Sequence, residues 1–334
     1  MKPKIFIFAV FISLLATSLT LAQSKRAQTS MKFLSVSQSA RASAMSGAVT
    51  AVEMGAYAPY YNPSSMANIK NGWHLTAGSV QWITDINHNS LSLIYRPEND
   101  RVGVFGVNAS SVDYGDIIST ARADNEQGYE DLGLINPTAM TLGLSYANAV
   151  TDQFSIGANY RYIKQVLGNA AVDRDGNGGY LLQSYSATTY ALDFGVFYKT
   201  GFESLNFAMT LRNFSPEVSY NEEEAEIPLT FKIGLAMDVF DLTELDADKH
   251  SLLVSIDANR PRDYDEQLLF GFEYTFIKRF KIRAGNGFPK DEEQFSLGFG
   301  IVQPIRGSSL AVDYSYTQFG VFGEVNRFSV QIGL

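Results

Sequence analysis

The stretch Arg327-Phe328-Ser329-Val330-Gln331-Ile332-Gly333-Leu334 decides the fold of this 334-residue chain. Every second residue in it is apolar, and the residues between are polar, charged or small. Because successive side chains of a strand point to opposite faces, the stretch predicts a strand with one apolar and one polar face. Strands that face lipid on one side and a polar lumen on the other are typical of transmembrane β-barrels.

The same two-residue alternation recurs along most of the chain and predicts fourteen strands. In 139–148, for example, Met, Leu and Tyr occupy one face, and Thr, Gly, Ser and Ala occupy the other. The predicted strands are 72–83, 89–96, 101–112, 139–148, 153–165, 185–199, 203–214, 228–239, 249–259, 267–277, 280–287, 294–303, 308–318 and 325–334.

A soluble β-sandwich also alternates, so the second face of the strands has to distinguish the two folds. Here that face consists mostly of Gly, Ser, Thr, Asn and Ala, whereas the outward face of a sandwich strand is usually charged. Many segments are longer than the roughly five to six residues of soluble strands and close to the roughly 9–11 of a tilted membrane strand. The pattern favours an all-β fold, an antiparallel transmembrane β-barrel of about 14 strands.

The first 22 residues predict a cleavable signal peptide. Lys2 and Lys4 begin it, Ile5 to Ala16 form an apolar run, and Thr20-Leu21-Ala22 offers small residues for cleavage. The run is shorter than the roughly 20 apolar residues that a membrane-spanning helix needs. We expect an exported protein that lies in the outer membrane of a Gram-negative-type cell.

The lengths of the connections indicate an orientation for the barrel. With fourteen strands and the C-terminus in the periplasm, the three longest connections (113–138, 166–184 and 215–227) all fall on the external side. This agrees with the short periplasmic turns and longer external loops of bacterial barrels. The connection 240–248 is an exception, because it is long for a periplasmic turn.

Three parts of the chain are predicted: the signal peptide 1–22, an N-terminal plug segment 23–71, and the barrel 72–334. A barrel of fourteen strands encloses more space than its own side chains fill. The segment 23–71 is rich in Ser and Ala and lacks alternation, so we expect it to fill the lumen. The alternative is an unattached arm in the periplasm.

Charged residues interrupt the polar faces only sporadically, and we expect them to line the lumen. These lumen-facing residues are Arg161, Arg212, Lys232, Asp257, Glu273 and Asp313. Inside a polar lumen, Arg41 of the plug segment is expected to pair with one of the three acids.

The stretch Asp173-Arg174-Asp175-Gly176-Asn177-Gly178 resembles the start of a calcium loop, with oxygen ligands at positions one, three and five and a glycine at six. Ser184 stands at position twelve, where such a loop has a bidentate Glu. We therefore predict a surface loop, and a weak calcium site at Asp173, Asp175 and Asn177 is the alternative. No other metal site and no cofactor is predicted.

Enzymatic activity is not expected. Of the three histidines, His74 and His250 are placed near the periplasmic side, and His88 near the external rim is expected to be solvated. No nucleophile motif, zinc spacing or phosphate-binding glycine loop accompanies it.

The net charge of −9 argues against a nucleic-acid partner, which needs clustered Lys and Arg.

The plug segment also carries a family resemblance. The stretches Phe33–Val36, Ala40–Ala48 and Tyr60–Ala67 contain an apolar run, an Ala-Arg-Ala followed by a Met-Ser-Gly turn, and a Tyr-Asn-Pro-Ser turn. This arrangement resembles the opening of the PorV/PorQ family of outer-membrane proteins. The residues that carry it are Ala40, Arg41, Ala42, Met45, Gly47, Asn62 and Pro63.

The resemblance implies a barrel similar to that of long-chain fatty-acid transporters and a role in protein export or surface attachment through a type IX secretion system. It implies secretion-machinery subunits and secreted cargo as partners, besides outer-membrane lipid. The alternative is an outer-membrane channel for hydrophobic or small solutes. The lumen-facing residues are mostly polar or small, which disfavours a fatty-acid site.

Overall fold

A computed structural model describes residues 28–99, 102–174, 179–290, 293, 295–305 and 307–334. Within these ranges, fourteen antiparallel strands hydrogen-bond in sequence order into a closed barrel. The strands are β1 (Gly72–Gln81), β2 (Asn87–Arg96), β3 (Val104–Asp113), β4 (Thr138–Ala149), β5 (Phe154–Arg174), β6 (Tyr180–Lys199), β7 (Asn206–Phe214), β8 (Thr230–Asp238), β9 (His250–Pro261), β10 (Gln267–Phe276), β11 (Phe280–Phe288), β12 (Phe295–Ile305), β13 (Ser308–Gln318) and β14 (Glu324–Gly333). The predicted fold class is confirmed. The predicted signal peptide 1–22 lies outside the described residues.

The alternation of β4 shows why the pattern predicts the fold. Leu144 is 64% exposed on the outer surface, whereas the neighbouring Ser145 is 5% exposed and faces the lumen. The apolar side chains of the wall therefore point away from the polar interior. No helix in the described part of the chain is both long and apolar enough to cross a bilayer.

The barrel closes between its first and last strands. The stretch that decides the fold lies in β14, which pairs with β13 on one side and with β1 on the other. The register against β1 runs from His74 opposite Gly333 to Gln81 opposite Asn326. Leu334 adds a further hydrogen bond to the Trp73 carbonyl, at 2.8 Å.

The connections lie alternately at the two ends of the barrel. We call the end that carries 114–137 and 215–229 the loop end and the opposite end the turn end. Both long connections share one end, as the strand count predicts. At the turn end, the long connection between β8 and β9 contains a short 3-10 helix, Val239–Leu242. Two more 3-10 helices, Ile83–Asp85 and Gly320–Phe322, lie at the loop end.

Two predictions at the loop end are wrong in extent. Strands β5 and β6 have 21 and 20 residues, and both extend past the predicted limits at 165 and 185. The predicted loop 113–138 contains a separate hairpin of Ile117–Arg122 and Tyr129–Ile135. Both faces of these extensions are largely exposed, so the alternation that marks the wall is absent from them. A smaller hairpin joins Val218–Ser219 to Glu224–Ala225.

The described residues before β1, 28–71, lie inside the barrel, and we call them the plug. They contain two short helices, α1 (Ala40–Ala44) and α2 (Ala58–Tyr61), and the 3-10 turns Lys32–Ser35, Gly55–Tyr57 and Pro63–Asn68. The Ser30 nitrogen donates to the Glu226 carbonyl at 2.8 Å, which places the start of the plug at the loop end. Because β1 begins at the turn end, the plug runs the length of the lumen.

Candidate functional site: the plug seat and the loop-end cavity

An ion pair joins the plug to the wall. The Arg41 guanidinium donates from Nε to Glu273 Oε2 at 2.7 Å and from Nη2 to Glu273 Oε1 at 2.9 Å. The third contact of Arg41 is with the Glu53 carbonyl, at 2.8 Å. Such bidentate pairs fix both distance and orientation. Of the three acids that the sequence offers to Arg41, the structure selects Glu273.

Glu273 is the centre of a larger cluster. It also accepts from Lys281 Nζ at 2.9 Å and from Arg283 Nε at 2.5 Å. Arg283 is almost completely buried and donates its Nη1 to Asp313 Oδ1 at 2.7 Å. One carboxylate thus holds three cations, and the cluster connects α1 to β10, β11 and β13.

Lys281 and Arg283 are absent from the predicted lumen set, although a signal for them exists. They alternate with Phe280 and Ile282 in a predicted strand, so they share the polar face. Arg283 stands directly opposite Glu273 in the register of β10 and β11. A cross-strand charge pair on the lumen face is the pattern that would have found them.

Asp257 holds a different part of the plug. Its Oδ2 accepts from the backbone nitrogens of Val49 and Thr50, at 3.1 and 3.0 Å, and from the Thr50 hydroxyl at 2.7 Å. As a partner for Arg41 it is therefore the wrong choice. A carboxylate in this position satisfies backbone donors that would otherwise be buried without partners.

Asn62 closes the last turn of the plug, as its position before Pro63 suggests. Its side-chain oxygen accepts from the Ser64 nitrogen at 3.2 Å and the Ser64 hydroxyl at 2.6 Å. Its amide nitrogen donates to the Thr50 carbonyl at 3.0 Å and the Val196 carbonyl at 3.2 Å. Pro63 follows as the first residue of the 3-10 turn. One buried side chain therefore joins two parts of the plug to β6.

Replacing Asn62 with Ala is expected to destabilise the folded barrel by about 1–3 kcal/mol, because buried backbone groups lose their partners. The measurement is the unfolding free energy in denaturant, in uncharged detergent. Asn68→Ala is the matched control, since the Asn68 amide nitrogen has no partner among the described residues. Equal unfolding free energies for the two variants would contradict the assigned role.

Glycines of the wall let the plug approach closely. A Cβ at position 285 would lie 2.3 Å from the carbonyl carbon of Met45, and one at 157 would lie 2.4 Å from the Ser64 nitrogen. No side chain fits at these distances, so the wall has to be bare here. Part of the small-residue inner face of the wall is therefore the surface against which the plug packs. We call this surface, which includes Gly157 and Gly285, the seat.

The remaining motif residues lie in this seat. Ala40, Ala42 and Met45 are fully buried. Gly47 has φ +78°, a conformation that favours glycine, and its carbonyl accepts from Lys232 Nζ at 2.9 Å. All seven motif residues thus belong to the plug, and most of them contact the wall or pack between its strands.

Of the six predicted lumen-facing residues, the structure places all on the inner face. Arg161 makes a bidentate pair with Asp193, at 2.8 Å for both bonds, and also contacts Asn213. Arg212 lies with its guanidinium 5.9 Å from the centre of the Tyr61 ring. Asp193, which the predicted set omits, occupies the lumen face of β6.

Burial and the Glu273 pair act in opposite directions on Arg41. Burial alone lowers the pKa of its guanidinium, but Glu273 more than offsets this, so the pKa lies above its ordinary value. Burial also raises the pKa of the Tyr61 hydroxyl, and hydrogen bonds from Ser37 and Ser39 and the charges of Arg212 and Arg327 oppose that rise. The Arg212 guanidinium, 5.9 Å from the centre of the Tyr61 ring, is one of these charges.

A cavity of about 1140 Å³ opens between the plug and the wall at the loop end. Its lining is mixed, with apolar groups such as Phe33 and Phe319 and charged groups such as Arg212 and Arg327.

The prediction that His88 is solvated is wrong. Its side chain is 1% exposed and packs edge-on to Trp82, with ring centres 6.2 Å apart, because position 88 is on the lumen face of β2.

Of the three candidate calcium ligands, Asp173 alone lies in the described ranges. Asp173 is exposed, and its Oδ1 accepts from the Arg174 nitrogen at 2.8 Å. Asp175 and Asn177 lie outside the described residues. No group of three or more potential metal ligands is present in the described ranges.

Solved structures with a similar fold include two toluene transporters and a FadL homologue. The Ralstonia pickettii toluene transporter TbuX matches with a TM-score of 0.55 at 13% identity, over 87% of this chain and 96% of its own. The Pseudomonas putida toluene transporter TodX matches with a TM-score of 0.54 at 13% identity, over 88% and 96%. A FadL homologue of Pseudomonas aeruginosa gives 0.53 at 12% identity, over 89% and 98%. At these identities the likeness shows the fold alone.

No curated protein matches the sequence. The model of the family described as type IX secretion system protein PorV matches residues 20–257. That range includes the plug, whose motifs carry the resemblance seen in the sequence, and the strands from β1 to most of β9. The chain therefore belongs to the PorV family.

Proposed function

We propose that this outer-membrane barrel assists protein export through a type IX secretion system, by offering the surface at its loop end to secretion subunits or secreted cargo. Membership of the PorV family supports the role in type IX secretion. One structural observation supports the loop end as the binding surface. The hairpins at the loop end expose large apolar side chains, and the hairpin Ile117–Ile135 lies outside the closed ladder of the barrel.

These hairpins form one surface. Ile118 and Leu134 of the separate hairpin are 62% and 61% exposed, and Leu182 at the extended end of β6 is 57% exposed. The Tyr180 hydroxyl donates to Glu130 Oε2 at 2.6 Å and joins the hairpin to β6. Exposed apolar patches of this kind mark interaction sites.

The seated plug supports a docking role over free passage. The lumen is occupied along its length by residues fastened through Glu273, Asp257 and Asn62. Export of a folded or extended polypeptide through this lumen would require all three attachments to break. We therefore place the binding of partners on the loops and leave the wall as a scaffold.

A triple variant, Ile118→Ser, Leu134→Ser and Leu182→Ser, tests this. We expect co-purification of large secretion-channel subunits, or of secreted proteins with a shared C-terminal domain, to fall at least about tenfold, since a tenfold change corresponds to about 1.4 kcal/mol and each buried apolar side chain contributes about that much or more. The measurement is a pull-down from detergent-solubilised outer membranes. Val321→Ser is the control, because Val321 is 88% exposed in another loop at the same end. Undiminished recovery with the triple variant would contradict the proposal.

A channel for hydrophobic or small solutes is the second candidate. The loop-end cavity and the fold shared with hydrocarbon transporters favour it. It requires a continuous path past the plug. Faster uptake of a small polar solute by liposomes that contain the intact barrel than by empty liposomes, with no secretion partner recovered, would support this candidate over the first.

A further inference from the structure

The loop-end cavity carries an excess of positive charge in a chain whose net charge is −9. Among the described residues, its lining contains six cations and three acids. The cations are Lys32, Arg161, Arg212, Lys232, Lys290 and Arg327, and the acids are Asp263, Asp265 and Glu293. The local charge thus opposes that of the whole molecule.

Three of the cations are neutralised by ion pairs. Lys32 pairs with Asp263, Arg161 with Asp193, and Lys290 with Glu293. Arg212, Lys232 and Arg327 take part in no ion pair with any described residue. Their charges remain directed at the cavity that they line.

Arg327 is the most informative of the three. It is 2% exposed, and its Nη1 donates to the Thr317 hydroxyl at 3.0 Å. Its Nε is buried and has no partner among the described residues. The guanidinium lies 5.4 Å from the centre of the Trp82 ring. A buried cationic donor without an acceptor carries a desolvation cost that an anion in the cavity would remove.

Arg212 repeats this arrangement beside Tyr61, which also lines the cavity. Its Nε is also buried without a partner in the described part of the chain, and its neighbour is the Tyr61 ring. The nearby acid Asp193 is already occupied by Arg161. Two guanidinium groups with unpartnered Nε donors therefore line the same cavity, and guanidinium forks match carboxylate and phosphate oxygens.

We propose that the loop-end cavity binds a small anion, whose carboxylate or phosphate group contacts the guanidinium groups of Arg212 and Arg327. Lys232 adds charge from the floor, although its ammonium already donates to the Gly47 carbonyl. Phe33, Leu34 and Phe319 provide apolar surface for the rest of the ligand. The site is independent of the proposed docking role, because none of its residues lies in the exposed hairpins.

Trp82 reports on the site directly. The chain contains two tryptophans, and the other, Trp73, lies at the turn end. In Trp73→Phe barrels in uncharged detergent, we expect benzoate or inorganic phosphate to change Trp82 emission saturably. Benzyl alcohol, which has the ring without the charge, is expected to produce no saturable change. Binding of benzoate alone indicates a ligand with an apolar part, and binding of phosphate by itself indicates a simple anion site.

Removing both guanidinium charges is the decisive step. Arg212→Gln combined with Arg327→Gln is expected to weaken anion binding at least tenfold. Arg260→Gln is expected to leave it unchanged, since Arg260 is exposed and pairs with Glu266 outside the cavity. A shift in SDS mobility on boiling verifies that each barrel is folded. Should the double variant not fold, weaker binding of the unaltered protein at high salt takes its place as the test.

Three results would overturn the site. The first is that neither anion binds saturably, and the second is that benzyl alcohol binds as tightly as benzoate. The third is equal anion affinity in the folded double variant and the parent. Where only the salt test applies, the third result is an affinity that does not change with salt.

Recovery of secretion partners in the pull-down is not expected to respond to either arginine substitution, so failure of this site and failure of the docking role are distinguishable.

Discussion

Glu273→Gln is expected to lower the stability of the barrel by about 3–5 kcal/mol, the usual cost of breaking a buried charge pair. The substitution preserves the size of the side chain but removes the charge that holds Arg41, Lys281 and Arg283. Arg283 suffers most, because it is almost completely buried and keeps Asp313 alone as a counter-ion. The measurement is the thermal unfolding transition of the purified barrel in uncharged detergent.

Two further variants separate the plug from the wall. Arg41→Ala removes only the cation of the plug and leaves the pairs of Glu273 with Lys281 and Arg283 intact, so we expect a smaller loss of stability and faster proteolysis of the plug. Glu266→Gln is the matched control, since Glu266 is an exposed acid paired with Arg260. If Glu273→Gln and Glu266→Gln unfold at the same temperature, the cluster is not what fastens the plug.

Gly285→Val is expected to displace the plug while the wall stays folded. The first side-chain carbon would lie 2.3 Å from the backbone of Met45, so the contact is with main chain and no rotamer change relieves it. Overpacking of this kind costs about 1–3 kcal/mol where neighbours can move. The plug is the part that can move, because the wall is held by continuous strand pairing.

The measurement for Gly285→Val is ion conductance of single barrels in planar bilayers, together with proteolysis of residues 28–71. We expect larger conductance and faster cleavage than in the parent. Ala284→Val is the control, because position 284 lies one residue away on the opposite face of β11. Equal conductance in the two variants would show that the plug does not depend on the close approach at Gly285.

The sequence predicts the wall well because each wall residue meets one of two very different environments. Lipid on one side and the packed lumen on the other impose a period of two, and that period is visible without any partner strand. The outer parts of β5 and β6 meet water on both faces, so no alternation marks them. The predicted strands therefore stop at 165 and start at 185, where the difference between the two environments ends.

The contacts of the plug are less predictable for a different reason. The sequence identifies Arg41 and three acids, but it does not give the depth or rotation of the plug inside the barrel. Those depend on which wall residues are glycine at the points of contact, as at Gly157 and Gly285. The prediction that His88 is solvated is wrong for a similar reason. Its burial depends on Trp82, which packs against it only in the folded loop end.

The seam between β1 and β14 has a consequence for biogenesis. The two strands that meet there are the first and the last of the fourteen, so the cylinder closes only when they pair. Contacts between segments that are far apart in the chain form slowly, because the chain loses the entropy of closing the loop before the contacts stabilise it. The plug is joined directly to β1, so we expect it to act as an internal template on which the strands assemble.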